Sequence, residues 1–122
     1  RAYRAIVYNN FIEDKGIVDA PIGRDPKNRL RMAVVQRNGK PARTHYGVLE
    51  RFGRFTYIEA VLETGRTHQI RVHMAHINHP LVGDELYGPK KGEMKALNIL
   101  RQVNIWNSTV LFLRHLNRCW KG

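Results

Sequence analysis

Apolar positions divide the first eighty residues into short strand-like runs followed by one helix-like run. Residues 2–8 (Ala-Tyr-Arg-Ala-Ile-Val-Tyr) crowd β-branched and aromatic side chains together ahead of Asn9-Asn10, the pattern of a strand and its break. Tyr3 and Arg4 then point to opposite faces of that strand. Gly16 to Ile22 predicts a second short strand ending at Pro21. Residues 43–52 and 54–62 carry alternating, β-rich patterns around Gly53, which predicts an antiparallel hairpin. After Glu63 the period changes. Ile70, Met74 and Ile77 fall at i, i+4 and i+7, one face of a helix, and Pro80 lies past the point where that helix must stop. A helix of about ten residues is expected from Thr67, with Thr67 as its N-cap.

The turn into that helix, Leu62-Glu63-Thr64-Gly65-Arg66-Thr67-His68-Gln69-Ile70-Arg71-Val72-His73, is the most chemically pointed stretch. Arg66 sits beside the unpaired N–H groups of a helix start, where an anion is welcome. Arg71 follows Ile70, which at about 100° per residue puts it on the border of the buried face. Two readings stand at this point: an anionic site for a planar ligand such as RNA, or ordinary solvated helix charges.

Charge favours a polyanion. The chain has 122 residues with 21 Lys and Arg against 10 Asp and Glu, a formal net charge of +11, and a pI near 10.4. Arg24, Lys27, Arg29, Arg31, Arg37, Lys40 and Arg43 share one stretch whose only acid is Asp25. It reads as a basic loop or loose hairpin, with Asn38-Gly39 turning its tip. Phosphates would relieve its self-repulsion, while a solvated basic loop is the plain alternative. No apolar run approaches the ~20 residues of a membrane span and no signal-peptide core is visible, so nucleic acid ranks ahead of a membrane. The single cysteine, Cys119, excludes an internal disulfide and suits a reducing, cytoplasmic setting. One domain, or part of one, fits this length.

His68, His73, His76 and His79 crowd the helix, yet Arg66 and Arg71 lie among them with no thiolate or carboxylate close in sequence. A dication would meet uncompensated positive charge there. No metal site is assigned; hydrogen bonding to backbone or RNA is the expected use, with His79 at the helix exit before Pro80.

The run Leu62 to His73, followed by His79-Pro80-Leu81-Val82-Gly83-Asp84 and Tyr87-Gly88, resembles the signature of the RluA-like pseudouridine synthases. Pro21-Ile22-Gly23-Arg24-Asp25-Pro26, the Asn38-Gly39-Lys40-Pro41-Ala42 turn and Thr44-His45-Tyr46 are similar to that family as well, so the resemblance covers roughly residues 1 to 92. It implies isomerisation of uridine to pseudouridine in structured, usually ribosomal, RNA without cofactor or metal. It further implies a nucleophilic aspartate, a tyrosine on the uracil ring that removes the C5 proton, and an arginine paired with the aspartate. Tyr3 matches the tyrosine and Arg71 the arginine. By the same resemblance Arg24, Arg29, Arg31, Lys40, Arg43, Arg66, Thr67, His68 and Gln69 are expected to hold RNA.

The aspartate's Arg-Leu-Asp-x-x-Thr-Ser-Gly-type motif is absent from these 122 residues. Asp25 and Asp84 lie in other loops, so the chain is expected to be inactive alone and to leave Arg71 without its carboxylate. The implied fold is α/β (α+β): a partial pseudouridine synthase catalytic domain with a mixed, mostly antiparallel sheet and a short helix after the arginine turn, occupying residues 1–122 as a single domain. Residues 92–122 depart from the family pattern. Leu97, Leu100 and Val103 have helical spacing and Thr109 to Leu113 is a continuous apolar run, so helix, irregular strand and diverged sequence all remain open there. An apolar sheet edge left exposed by missing upstream sequence would invite self-association. The competing reading is a basic RNA-binding module without chemistry.

Overall fold

The runs of β formers assemble into two antiparallel sheets with one helix packed on the larger. The computed structural model describes residues 2–84 and 86–88; the expectations for residues 92–122 fall outside them. Strands β1 (Ala2–Tyr8), β2 (Lys15–Asp19), β5 (Arg43–Arg51) and β6 (Phe55–Leu62) form a sheet in the order β1-β6-β5-β2. Strands β3 (Ile22–Arg24) and β4 (Met32–Val34) form a two-stranded sheet, and α1 is Gln69–His76.

Registers place Tyr3 opposite Ala60, Ile6 opposite Tyr57 and Thr44 opposite both Leu62 and Val18. Side-chain alternation then sorts the sheet into two faces. Tyr3, Ala5, Val7, Val18, Ile58 and Ala60 share a core cluster with Ile70 and Met74 of α1, as the helical spacing predicts. Ile6, Phe55, Tyr57 and Val82 make a smaller cluster on the other face. The β5–β6 hairpin turns at Gly53, whose φ of 79° suits glycine.

The strand expected from Gly16 to Ile22 is broken in two. Pro21 has no N–H for a ladder, and the chain ends β2 at Asp19 and resumes as β3 at Ile22. The loose basic hairpin is thus a short real one, β3–β4. Past it, Ile22 and Lys40 exchange two backbone hydrogen bonds of 2.9 and 3.0 Å, which close the Asn38-Gly39 tip against β3. A Cβ on Gly39 would sit 2.4 Å from the Val35 carbonyl oxygen, so glycine is required by close approach.

The helix is shorter than expected and starts differently. His68 is the N-cap, in the left-handed region at φ 57°, with no side-chain cap. That corrects the assignment of Thr67 as N-cap: the left-handed residue lies between Thr67 and the first helical turn. At the other end Asn78 is left-handed (φ 66°), with Asn78 N–H bonded to Ala75 O and His79 N–H to Met74 O. This paired bonding is a Schellman stop, and Pro80 follows it.

The segment after Pro80 returns along β1. Tyr8 N–H donates to Pro80 O (2.9 Å), Val82 N–H donates to Ile6 O (3.0 Å), and Val7 bridges Leu81. The outer edge of β1 is therefore partly covered. Among the described residues no strand pairs with the outer side of β2, where Ile17 is 50% exposed.

Candidate functional site

At the centre of the bonds that hold the arginine turn is Gln69, buried at the first position of α1. Its Oε1 accepts from the Arg66 N–H (3.1 Å) and the Thr64 hydroxyl (2.6 Å), while its Nε2 donates to Arg43 O and to Thr44 Oγ1, both at 2.9 Å. All four hydrogen-bonding positions of the amide are filled. The chain of bonds continues inward. Ala20 O can only accept, so the buried His73 carries its proton on Nε2 (2.9 Å) and its Nδ1 accepts from the Thr44 hydroxyl (2.8 Å). Burial lowers the His73 pKa and keeps the ring neutral. Sequence reading expected Gln69 to touch RNA; the structure turns its side chain inward as a clamp between turn, helix and β5.

Arg71 does not lack a carboxylate. Its Nε donates to Asp84 Oδ2 (2.8 Å) and its Nη2 to Asp84 Oδ1 (2.9 Å), with the two side chains 12% and 2% exposed. The expectation of an unmatched arginine is corrected, because the turn after the helix brings Asp84 back beneath α1. Asp84 Oδ1 also accepts the N–H groups of Leu86 and Tyr87, each at 3.1 Å. Both carboxylate oxygens are thus engaged, which suits a structural anchor and not a nucleophile.

Tyr87 completes this cluster. The Arg71 guanidinium lies 4.9 Å from its ring centre. The Tyr87 hydroxyl accepts the Met32 N–H (2.8 Å) and donates to His68 Nδ1 (2.6 Å), tying β4 to the helix start. Burial, then the positive charge of Arg71, pulls the His68 pKa down to about 4, so its ring is a neutral acceptor. Burial also raises the Tyr87 hydroxyl above its ordinary range. Asp84, Tyr87, Thr44 and His73 were missed as site residues. The Gly83-Asp84 and Tyr87-Gly88 turn signal pointed to the first two; Thr44 and His73 lie within the Thr44-His45-Tyr46 and Leu62 to His73 motifs, but nothing in either motif shows that the two side chains bond to each other.

The basic residues divide by what already neutralises them. Arg31 pairs with Asp25 (2.9 Å), whose carboxyl is held below its ordinary range first by the Lys27 N–H and then by Arg31. Arg43 lies between Glu63 (3.3 Å) and Asp19 (4.0 Å), and Glu63 also contacts His45, the first cause of its lowered pKa. Arg24 donates to Arg29 O and Arg66 to Pro41 O. Arg29, Lys40 and Thr67 are exposed. The remaining helix histidines also have local uses. His79 donates from Nδ1 to Tyr8 O (2.9 Å) and stacks on Phe11 at 3.7 Å, and His76 is exposed. Tyr3, half-buried on β1, packs into the cluster that holds Ile70 and Met74, on the sheet face that carries α1.

A sheet-dominated scaffold with this arginine turn on its helix-bearing face has counterparts among known proteins. The chain belongs to the RNA pseudouridylate synthase family, whose sequence model matches residues 1–76. It is 62% identical over 88 residues to a Nitrosomonas europaea protein named ribosomal large subunit pseudouridine synthase D, covering 72% of this chain and 25% of that protein. A Haemophilus ducreyi protein of the same name is 50% identical over 122 residues, covering 94% and 37%. The structure is similar to that of human RNA pseudouridylate synthase domain containing 1, with a TM-score of 0.67 and 32% identity over 72% of this chain and 40% of that one. The chain thus spans 25% to 37% of the length of these curated relatives. The family read from the motifs and the partial catalytic-domain fold both hold.

Proposed function

We propose that this chain forms the tyrosine and arginine side of a site that isomerises uridine to pseudouridine in RNA, ribosomal RNA being the substrate class. The observation that carries the reading is the placement of Tyr3 and the Arg71-bearing helix on one face of the sheet, packed into one core cluster, within the segment that matches the family. Tyr3 lies against the flipped uracil and takes the C5 proton; the target base is unreachable while stacked. The glycosidic C1′ moves from N1 to C5, N1 gains a proton, and no external oxidant or cofactor enters the balance. The nucleophilic aspartate comes from sequence outside these 122 residues. Arg71, fixed by Asp84, is a donor of set orientation beside that carboxylate, and Arg66, Thr67 and the exposed basic residues steer the phosphates, while His68, buried, neutral and bonded to Tyr87, holds the turn in place. Among the described residues no helix is long and apolar enough to cross a membrane, and RNA in the cytoplasm is the partner in this reading. The edge of β2 with Ile17, which no strand pairs among the described residues, is the place where a second copy would add.

The test mixes the chain with a separately produced segment carrying the Arg-Leu-Asp motif and measures tritium release from C5-labelled uridine in RNA. Release that is abolished by Tyr3→Phe, with RNA affinity retained, supports the site. No release from the mixture, with salt-sensitive RNA binding intact, overturns it in favour of a non-catalytic basic RNA-binding module.

A further inference from the structure

A cleft of 330 Å³ opens between β4 and α1, bordered by Val34 on the strand and by Val72 and Ala75 on the helix. The ladder register sets what the strand offers to it. Asp25 N–H bonds Arg31 O (3.1 Å) and Val35 N–H bonds Pro21 O (3.0 Å), so the odd-numbered residues of this hairpin face each other's hydrogen bonds. Ile22, in the alternate set, spends both its backbone groups on Lys40 away from β4. By the same alternation the Met32 C=O, Val34 N–H and Val34 C=O point off the far side of β4. The Met32 N–H on that side is met by the Tyr87 hydroxyl. The next three groups along the edge form an acceptor, donor, acceptor row for which no partner is found among the described residues.

We infer that this cleft is a subsite for one unpaired nucleobase of the RNA, read along its edge by the Met32 and Val34 backbone groups. The inference rests on the proposed RNA substrate. A base edge presents neighbouring donors and acceptors of this kind, and unstacked bases are recognised on such edges. The volume suits a small planar group at the low end of ligand clefts. Charge does not select for a phosphate: of the two basic side chains lining the cleft, Arg31 is already paired with Asp25, a carboxylate that itself lines the cleft, which leaves His76 alone on the helix side. Length selects against an added peptide strand, which pairs over about five residues, whereas Tyr87 closes this edge at Met32.

Uridine and adenosine 5′-monophosphates are titrated into the full 122-residue chain with ribose 5-phosphate as the base-less control, and the Val34 amide is followed by NMR. A saturable shift with a nucleotide and none with ribose 5-phosphate is expected. Val34→Pro removes the free-edge N–H without touching the β3–β4 ladder, and should weaken nucleotide binding about tenfold, read in that variant from the amides of the flanking Ala33 and Val35. Ala75→Leu fills the cleft from the helix side and should abolish the shift; it serves also if the proline variant fails to fold. An equal shift with ribose 5-phosphate overturns the proposal, as does a shift with a strand-forming peptide but with no nucleotide. Binding of an RNA oligonucleotide with Val34 unmoved by nucleotides sinks the subsite and spares the RNA reading. A nucleotide shift without any oligonucleotide binding upholds the subsite and sinks that reading.

Discussion

Arg71 and Asp84 meet through two near-parallel N–H to O contacts of 2.8 and 2.9 Å, with both side chains almost wholly out of solvent. Removing one member leaves the other buried and unmatched, which typically costs about 3–5 kcal/mol. Arg71→Met should fall near the lower end, because two backbone N–H groups still solvate Asp84. The double variant Arg71→Met with Asp84→Leu should recover much of the loss in urea unfolding. A double variant no more stable than the single would show that the Asp84 turn, and not the charge pair, carries the energy.

Thr44 joins the arginine turn to the core by accepting from Gln69 and donating to His73. Thr44→Val keeps the shape and deletes both bonds, leaving a buried amide N–H and a ring nitrogen short of partners. Each unsatisfied group costs about 1–3 kcal/mol, so a loss of about 2–6 kcal/mol is expected in thermal or urea unfolding. Thr44→Ser should restore most of it. Imidazole 15N shifts should report His73 protonated at Nε2 in the parent; an Nδ1 tautomer would refute the assigned bond directions.

These two relationships mark where sequence reading stops. Ile70, Met74 and Ile77 announced the helix and its buried face because period survives in a linear pattern. The strand runs around Gly53 were legible for the same reason. The helix start was not, since His68 adopts the left-handed region between Thr67 and the first helical turn, and the Gln69 side chain reaches back to the Arg66 N–H ahead of the helix. Asp84 lies thirteen residues beyond Arg71 across a helix stop, and Thr44 is on another strand. Neither separation has a period, so tertiary contact alone joins them. The same limit explains why Gln69 was read as facing RNA.

His68 supplies an acid-sensitive joint. Its pKa is about 4 in the fold against an ordinary 6.5 or so when unfolded. Between those values the unfolded chain binds the extra proton, so stability rises with pH across that window and is lost as pH falls through it. The full effect is about 3 kcal/mol, with His73 adding in the same direction. Melting temperature should drop from pH 6.5 to 4. His68→Asn, which tolerates the left-handed backbone, should flatten that slope. An unchanged slope would place the acid sensitivity elsewhere.

The basic surface makes the last prediction quantitative. Each phosphate contact on single-stranded RNA steepens the fall of log affinity with log salt by about 0.7. Arg43 is flanked by Glu63 and Asp19, so binding a phosphate there means competing with two carboxylates. Arg29 and Lys40 are exposed, and no ion pair joins either to a described residue. Arg29→Ala and Lys40→Ala should therefore each reduce the salt slope by up to about 0.7, while Arg43→Ala changes it little. Fluorescence anisotropy with a labelled RNA between low and moderate salt measures all three. Slopes that fall most for Arg43→Ala would mean that RNA displaces Glu63 and Asp19, and that the phosphate path crosses the β5 end of the sheet instead of the β3–β4 hairpin.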